Sequence, residues 1–229
     1  MIFLSTIVEN ADFLMGGLLY SSKVSCVAVG FGLVFGTVLA LMSISKLRYL
    51  RIFAKVYINF FRSIPLVQVM LSLYVILPFL VKIFTGEFFH VSAESSAYYS
   101  FMFFESAYFS EIIRSGIQSI SRGQILASYS IGFGYFRTMR YIILPQAYRN
   151  VFPVLMTQIF IIFQDISLVY AIGAIDFFGA ADHIAQREFM PTEMYLFCAV
   201  AYFFICYGFS YLSRYLGNRL DIHNQHLRR

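Results

Sequence analysis

Six polar residues lie inside or at the edge of long apolar segments, where an unpaired charge is costly to bury. They are Arg62, Glu105, Arg114, Gln164, Asp165 and Ser167. Ionisable groups in such segments normally face a polar path or pair with one another between helices. Carboxylates and guanidinium groups can bind a polar solute, so these residues are candidates for a translocation path. The alternative for each residue is structural pairing between helices.

Asp165 is the first candidate because Gln164 and Ser167 add polar groups beside it in the same apolar run. Glu111 lies one turn before Arg114, a spacing that predicts an ion pair on one helix face. Lone carboxylates would repel an anionic solute. We therefore expect Arg62 or Arg114 to compensate them.

The composition indicates a membrane protein. Hydrophobic residues make up 59% of the 229-residue chain, charged residues make up 13%, and the mean hydropathy is +0.72. The formal net charge of +5 arises from basic residues in short segments beside apolar runs. This distribution is typical of the positive-inside rule and excludes a nucleic-acid-binding role, since no basic helix or stacking motif is present.

Five segments are candidate membrane spans. They are residues 16–45, 66–84, 95–117, 147–172 and 194–216. The third is ambiguous by hydropathy because it carries Glu105, Glu111 and Arg114. The distribution of basic residues resolves this ambiguity. Basic clusters follow the first span, precede the fourth and follow the fifth, and all three lie on the same side of the membrane only if residues 95–117 also cross it. The sequence thus predicts an all-α polytopic membrane domain over 16–217, with the N-terminus outside, the C-terminus inside and an inside tail at 218–229.

The first span carries small residues at every fourth position. Ala28, Gly32, Gly36 and Ala40 leave one helix face nearly flat, so a second helix can approach closely. Two interpretations stay open. The face either seals a contact between subunits or packs against another helix of the same chain.

The polar segment 118–146, between the third and fourth spans, contains a predicted short helix. Ser121 followed by Gln124 is typical of a capping box, and Gly132 suits the C-terminal end of the helix. Ile125, Tyr129 and Phe133 then form an apolar stripe that needs a partner surface. Alternatively, the helix lies among lipid headgroups, anchored by Arg137 and Arg140. Pro145 fits the first turn of the following span.

Several motifs resemble those of permeases from ABC importers of polar amino acids. Gly123 to Gly132, followed by Ile142-Ile143-Leu144-Pro145, resembles the cytoplasmic "EAA" loop of these permeases. Further similar segments cover residues 59–66, 104–117, 144–147, 163–170 and 176–178. The resemblance implies a type I importer fold of five spans, and a loop that docks on a separate ATPase. The docking residues it implies are Gly123, Ile125, Leu126, Ala127, Tyr129, Gly132, Leu144 and Pro145.

Within this family the chain most resembles the small permease subunits of bacterial glutamate/aspartate importers. The resemblance implies a multi-pass protein of the bacterial inner membrane, with a periplasmic N-terminus and a cytoplasmic C-terminus. It also implies a second permease of different sequence, two ATPase subunits and a periplasmic binding protein as partners, in contact with membrane lipid. ATP and Mg would be bound by the ATPase subunits, and no cofactor by this chain.

Two positions depart from the family pattern. Leu126 stands where the family usually has Glu, and Ser128 replaces the second Ala. The Gly spacing is kept, but the docking surface loses a charge.

The sequence also indicates what the chain lacks. None of its lysines precedes Ser or Thr, so it has no P-loop. No catalytic motif or metal-ligand cluster appears, which favours a non-catalytic subunit. The remaining alternative is a transporter driven by an ion gradient.

Overall fold

The computed structural model describes residues 2–87 and 89–225, and every regular element in them is helical. The helices are α1 (Ile2–Glu9), α2 (Ala11–Ser43), α3 (Arg48–Ser63), α4 (Leu66–Leu71), α5 (Leu77–Thr85), α6 (Ala93–Gln118), α7 (Arg122–Ser130), α8 (Tyr135–Arg137), α9 (Leu144–Asp165), α10 (Phe177–Arg187) and α11 (Pro191–Gln225). Wide π-helical turns, Ser72–Ile76 and Thr138–Ile143, join α4 to α5 and α8 to α9, and a tight 3₁₀ turn, Ile166–Ile172, extends α9. The all-α prediction is confirmed for these residues.

Four helical runs in the described part of the chain are long and apolar enough to cross a membrane. They are Ala11–Ser43, Leu66–Thr85, Tyr135–Ile172 and Pro191–Tyr215. Helix α6 has the length, about 39 Å at 1.5 Å per residue, but its charged residues set it apart. It is nevertheless the central helix of the bundle, since it packs against both α2 and α9 and buries Phe101, Glu105 and Phe109 completely.

The small-residue face of α2 packs against α6 of the same chain. Ala28, Gly32, Gly36 and Ala40 are all buried. A Cβ atom at Gly32 would lie 2.6 Å from the Phe109 ring, and one at Gly36 would lie 2.9 Å from the Phe109 Cβ and 3.0 Å from the Ser106 carbonyl oxygen. The geometry therefore favours packing within the chain over a contact between subunits.

The segment between the first and second predicted spans, whose basic residues suggested a loop, is mostly helical. Helix α3 covers Arg48–Ser63 and packs antiparallel to α2, with Ala54 and Ile58 buried against Leu39. Ala54 and Ile58 are four residues apart and lie on the same face of α3, so the helix packs on α2 although its first half is basic. It ends at Ser63 because Ile64, which precedes Pro65, is extended with φ −114° and ψ 138°.

The ends of the predicted spans also shift. The fourth run begins at Tyr135 instead of residue 147, because α8 and the π-helical turn lead directly into α9. Pro145 does lie in the first turn of α9, where its missing N–H is tolerated. Helix α11 extends to Gln225 and includes much of the predicted tail, whereas residues 226–229 lie outside the described residues.

Candidate functional site

Helix α7 projects from the bundle as a short, exposed helix. It begins at Arg122 as predicted, but the Ser121 side chain makes no capping hydrogen bond. The expected capping box is thus not formed. Ser128 is the one buried side chain of α7.

The C-terminal end of α7 turns at Gly132, where the sequence predicts a stop. Gly132 has φ +83°, a left-handed conformation that side chains disfavour. Its N–H donates to the Tyr129 carbonyl oxygen at 3.0 Å, and the Phe133 N–H donates to the Ser128 carbonyl oxygen at 3.1 Å. These two bonds define a Schellman motif, which fixes the direction of the chain after the helix.

A buried hydroxyl pair joins α7 to the run that leads into α9. The Ser128 hydroxyl donates to the Ile125 carbonyl oxygen at 2.7 Å and lies 2.8 Å from the Thr138 hydroxyl. Because a serine hydroxyl has one proton, Thr138 is the donor in the second bond. Sequence reasoning noted Ser128 only as a departure from the family and missed Thr138.

The exposed surface around α7 is strongly apolar. Leu126 is 63% exposed and Phe136 73% exposed, and Tyr129, Ile131 and Tyr135 are exposed beside them. Of the predicted docking residues, Gly123, Leu126, Ala127, Tyr129, Gly132 and Pro145 are exposed, while Ile125 and Leu144 are partly buried. Ile125 and Phe133 are partly buried, so Tyr129 is the exposed member of the expected stripe, and Leu126, Ile131, Tyr135 and Phe136 supply the rest of the exposed apolar surface. An exposed apolar patch with a polar surround is typical of an interaction surface.

Glu105 lies at the centre of the bundle and is fully buried. One carboxylate oxygen accepts a hydrogen bond from the Gln158 side chain of α9 at 2.8 Å, whereas the other has no partner among the described residues. Glu105 therefore does not line an open path in this conformation. Gln158, a polar residue in an apolar run, was the signal for this pair and was missed.

Asp165 ends α9 and is partly buried, without a hydrogen-bond or ion-pair partner in the described part of the chain. Gln164 is exposed and its side chain lies 3.5 Å from the Cys206 Sγ. The Ser167 hydroxyl donates to the Gln164 carbonyl oxygen at 2.8 Å. Asp165 is thus the member of this set whose side chain has no partner among the described residues.

The predicted Glu111–Arg114 ion pair is present and is bidentate. Arg114 Nε lies 3.0 Å from Glu111 Oε1, and Arg114 Nη2 lies 2.6 Å from Glu111 Oε2. Arg62 approaches Glu111 at 3.4 Å and lies over the Tyr108 ring, with 42% of its side chain exposed. Arg62 therefore shares Glu111 with Arg114, and its partly exposed guanidinium group has further N–H donors.

Helix α10 is fixed to the N-terminal part of α2. Asp176 caps α10 by accepting from the Gly179 N–H at 2.8 Å and the Phe178 N–H at 3.1 Å. Burial raises the pKa of Asp176 above its usual value, and these N–H groups oppose that rise. The Phe177 N–H donates to the Ser21 hydroxyl at 3.2 Å, and a Cβ at Gly17 would lie 2.5 Å from the Asp176 carbonyl oxygen.

The described residues contain no group of three side chains that could hold a metal ion. The candidate site is therefore an apolar docking patch at α7 and a set of polar groups along α3, α6 and α9.

Comparison with known proteins identifies the family. Residues 32–222 match the model of the binding-protein-dependent transport system inner membrane component. The chain is 44% identical over 220 residues to the glutamate/aspartate import permease protein GltK of Escherichia coli O6:H1, covering 94% of this chain and 96% of the relative. It is 32% identical to a putative glutamine transport system permease protein GlnP of Rickettsia bellii, covering 92% and 94%.

A solved structure supports the same assignment. The structure described as an amino acid ABC transporter with histidines superposes with a TM-score of 0.83 at 30% identity, covering 95% of this chain and 98% of that one. Family, relatives and fold agree. The chain belongs to the inner membrane components of binding-protein-dependent transport systems, as an amino-acid permease of an ABC importer.

Proposed function

We propose that this chain is the small permease subunit of an ATP-driven importer of glutamate and aspartate. It has five spans, formed by α2, the broken run α3–α5, α6, the run α8–α9 and α11. The N-terminus is periplasmic and the C-terminus cytoplasmic, which puts α7 in the cytoplasm and α10 at the periplasmic face. It assembles with a second, different permease, two ATPase subunits that bind ATP and Mg, and a periplasmic binding protein.

The observation that carries this proposal is the apolar patch on α7. Leu126 on α7 and Phe136 on α8 are exposed on either side of the Gly132 turn, and the end of α7 is fixed by that turn and by the Ser128–Thr138 hydrogen bond. A rigid helix with an exposed apolar patch fits a groove on a partner, and it can transmit a movement of that partner. Since α7 follows α6 after only a short turn, a push on α7 reaches the centre of the bundle.

Acidic amino acids suit the polar groups along the bundle. Arg62 presents guanidinium donors that can bind a carboxylate, and Asp165 can accept from the α-ammonium group of the solute. Glutamate and aspartate carry both kinds of group. Support for this substrate class over glutamine comes from the GltK relative.

The decisive experiment reconstitutes the complete importer in proteoliposomes and measures glutamate uptake with a wild-type or a catalytically dead ATPase partner. We expect uptake to require ATP hydrolysis and to be inhibited by aspartate more than by glutamine. Uptake that continues with the dead ATPase and follows a proton or sodium gradient would establish the ion-driven alternative.

Reporter fusions test the topology separately. Fusions after Lys46 and after Arg122 should both read cytoplasmic, and a fusion after Glu87 should read periplasmic. If the fusions after Lys46 and after Arg122 report opposite sides of the membrane, then α6 does not cross it and the five-span arrangement is wrong.

A further inference from the structure

In the described part of the chain, three helical segments end with a left-handed residue followed by an N–H that bonds back along the helix, but at one of them the left-handed residue is not glycine. At these three ends the left-handed residues are Gly132 (φ +83°), Gly173 (φ +79°) and Phe189 (φ +56°), whereas Gly86 (φ +77°) ends α5 without the bond from the following residue. At each end the next N–H donates back to a carbonyl oxygen five residues earlier: Phe133 to Ser128, Ala174 to Val169 and Met190 to Ala185. Among the described residues, Phe189 is the only non-glycine with a positive φ. A bulky residue in this conformation is disfavoured, and such outliers cluster at functional sites.

Packing within the chain does not explain Phe189. Its side chain is 90% exposed, more than any other large hydrophobic residue for which burial is described. Met194, which follows in α11, is by contrast completely buried. In the isolated chain, therefore, the strained backbone at Phe189 is not compensated by burial of its ring.

The backbone that carries Phe189 is held in place. Arg187 Nε donates to Glu188 Oε1 at 2.8 Å, and Arg187 Nη2 donates to Asn10 Oδ1 at 2.6 Å. These bonds tie the end of α10 to the junction of α1 and α2. The Phe189 ring is thus presented on a fixed support.

The charged residues exposed around this support are mostly acidic, although Val8 and Phe13 of the adjoining helices are exposed as well. Glu9, Asp12, Glu188 and Glu193 are exposed on the segments that meet here, and Arg187, already paired with Glu188, is the one basic residue among them. Anionic lipid headgroups would be repelled by this surround. An exposed aromatic residue within a polar rim is typical of an anchor in a protein–protein interface.

We propose that Phe189 is the residue by which this permease anchors the substrate-binding protein, inserting into an apolar pocket with a basic rim on that protein. The inference rests on the proposed function, which puts α10 at the periplasmic face. The Arg187 contacts hold the anchor in position, and the acidic surround selects a partner surface of opposite charge.

The test replaces Phe189 with the residue that the backbone favours. Phe189→Gly removes the strain, so we expect the importer to keep its thermal stability, its assembly and its basal ATPase rate. We expect the Kd for glutamate-loaded binding protein to rise by at least about tenfold, as for the loss of an interface anchor. Phe84→Ala is the matched control, since Phe84 is 84% exposed on α5 and should leave this Kd unchanged.

Salt gives a second measurement of the same interface. The wild-type Kd should rise with ionic strength because the two rims carry opposite charges. An unchanged Kd for Phe189→Gly would overturn the proposal. ATP-driven uptake that still requires the binding protein would show in that case that the importer function stands.

The variant Phe189→Trp tests whether this side chain contacts the binding protein or the bilayer. The wild-type chain contains no tryptophan, so the added residue is the fluorescent probe at this position. Binding protein should shift the added emission to shorter wavelength, after subtraction of the wild-type importer signal. Quenching by brominated lipid before binding protein is added would instead put the ring in the bilayer. Loss of the permease pair on Phe189→Gly would assign it to the interface between permeases. Either result would overturn the proposal.

Discussion

Glycine recurs in the α2–α6 contact and in the α7 segment, but the space around it differs. Gly32 and Gly36 have ordinary helical backbones, and a side chain at either would collide with α6. Gly132 has open space around it, with no atom within 4 Å of an added Cβ, but its φ is +83°. The α2–α6 contact requires glycine because the two helices pack too closely for a side chain. The α7 segment requires glycine because the backbone at Gly132 is left-handed. Substitutions in the two regions should therefore fail in different ways.

The largest effect is expected in the packed region. Gly36→Leu forces a side chain against the Ser106 carbonyl oxygen and Ser110 nitrogen of the α6 backbone, which cannot rotate away. Overpacking costs ~1–3 kcal/mol and more where backbone must move. We expect the yield of assembled permease to collapse, and Gly32→Leu to do the same. Gly30→Leu is the control, because Gly30 has no neighbour within 4 Å. Normal yield for both buried variants would show that α2 and α6 can separate freely.

The next effect should appear in the docking region without loss of the fold. Gly132→Val puts a β-branched residue at a left-handed φ, so the α7 end should change direction. We expect normal membrane insertion, but release of the ATPase or hydrolysis uncoupled from uptake. Gly134→Val is the control two residues away, since Gly134 also has open space but a φ of −78°. If Gly132→Val keeps full uptake, α7 is not the coupling element.

A substitution at Asp165 distinguishes a role in the translocation path from a role in helix packing. Asp165→Ala removes an acceptor for the substrate ammonium group, and charge-assisted hydrogen bonds are worth ~1.5–3 kcal/mol, so uptake should fall by about tenfold or more. Complex yield and ATPase binding should be unchanged, and Gln164→Ala should have little effect on uptake. Poor expression of Asp165→Ala would indicate that the carboxylate is structural.

The smallest effect concerns the hydroxyl pair that supports α7. Ser128→Ala leaves the buried Thr138 donor without its acceptor, a cost of ~1 kcal/mol, so amino acid transported per ATP should fall by up to about fivefold. Adding Thr138→Val should restore part of the loss, because two apolar groups of similar shape leave nothing unpaired. The exposed Ser130→Ala is the control. If all variants transport the same amount of amino acid per ATP, the Ser128–Thr138 hydrogen bond does not contribute to coupling.

How much the sequence predicts depends on whether a property is local. Gly132 as a helix end and the Glu111–Arg114 pair follow from neighbours in the chain, and both are present. The partners of Glu105 and Ser128, which are Gln158 and Thr138, depend on which helices pack together and were missed. Helix α3 was missed because its basic residues resemble a loop, while the apolar face that holds it against α2 has helical spacing.

The attachment of α10 to α2 has a mechanical consequence. Gly17 leaves no gap beside Asp176, and Ser21 holds the first N–H of α10, so α10 and the adjoining part of α2 form one stiff body. That body is joined to α6 through Gly32 and Gly36, and α6 leads by a short turn to α7. A continuous series of close contacts thus runs from α10 through α2 and α6 to α7, from one end of the bundle to the other. We therefore expect a displacement of α7 to be accompanied by a displacement of α10, with the π-helical turns and Gly173 as the places where the backbone bends.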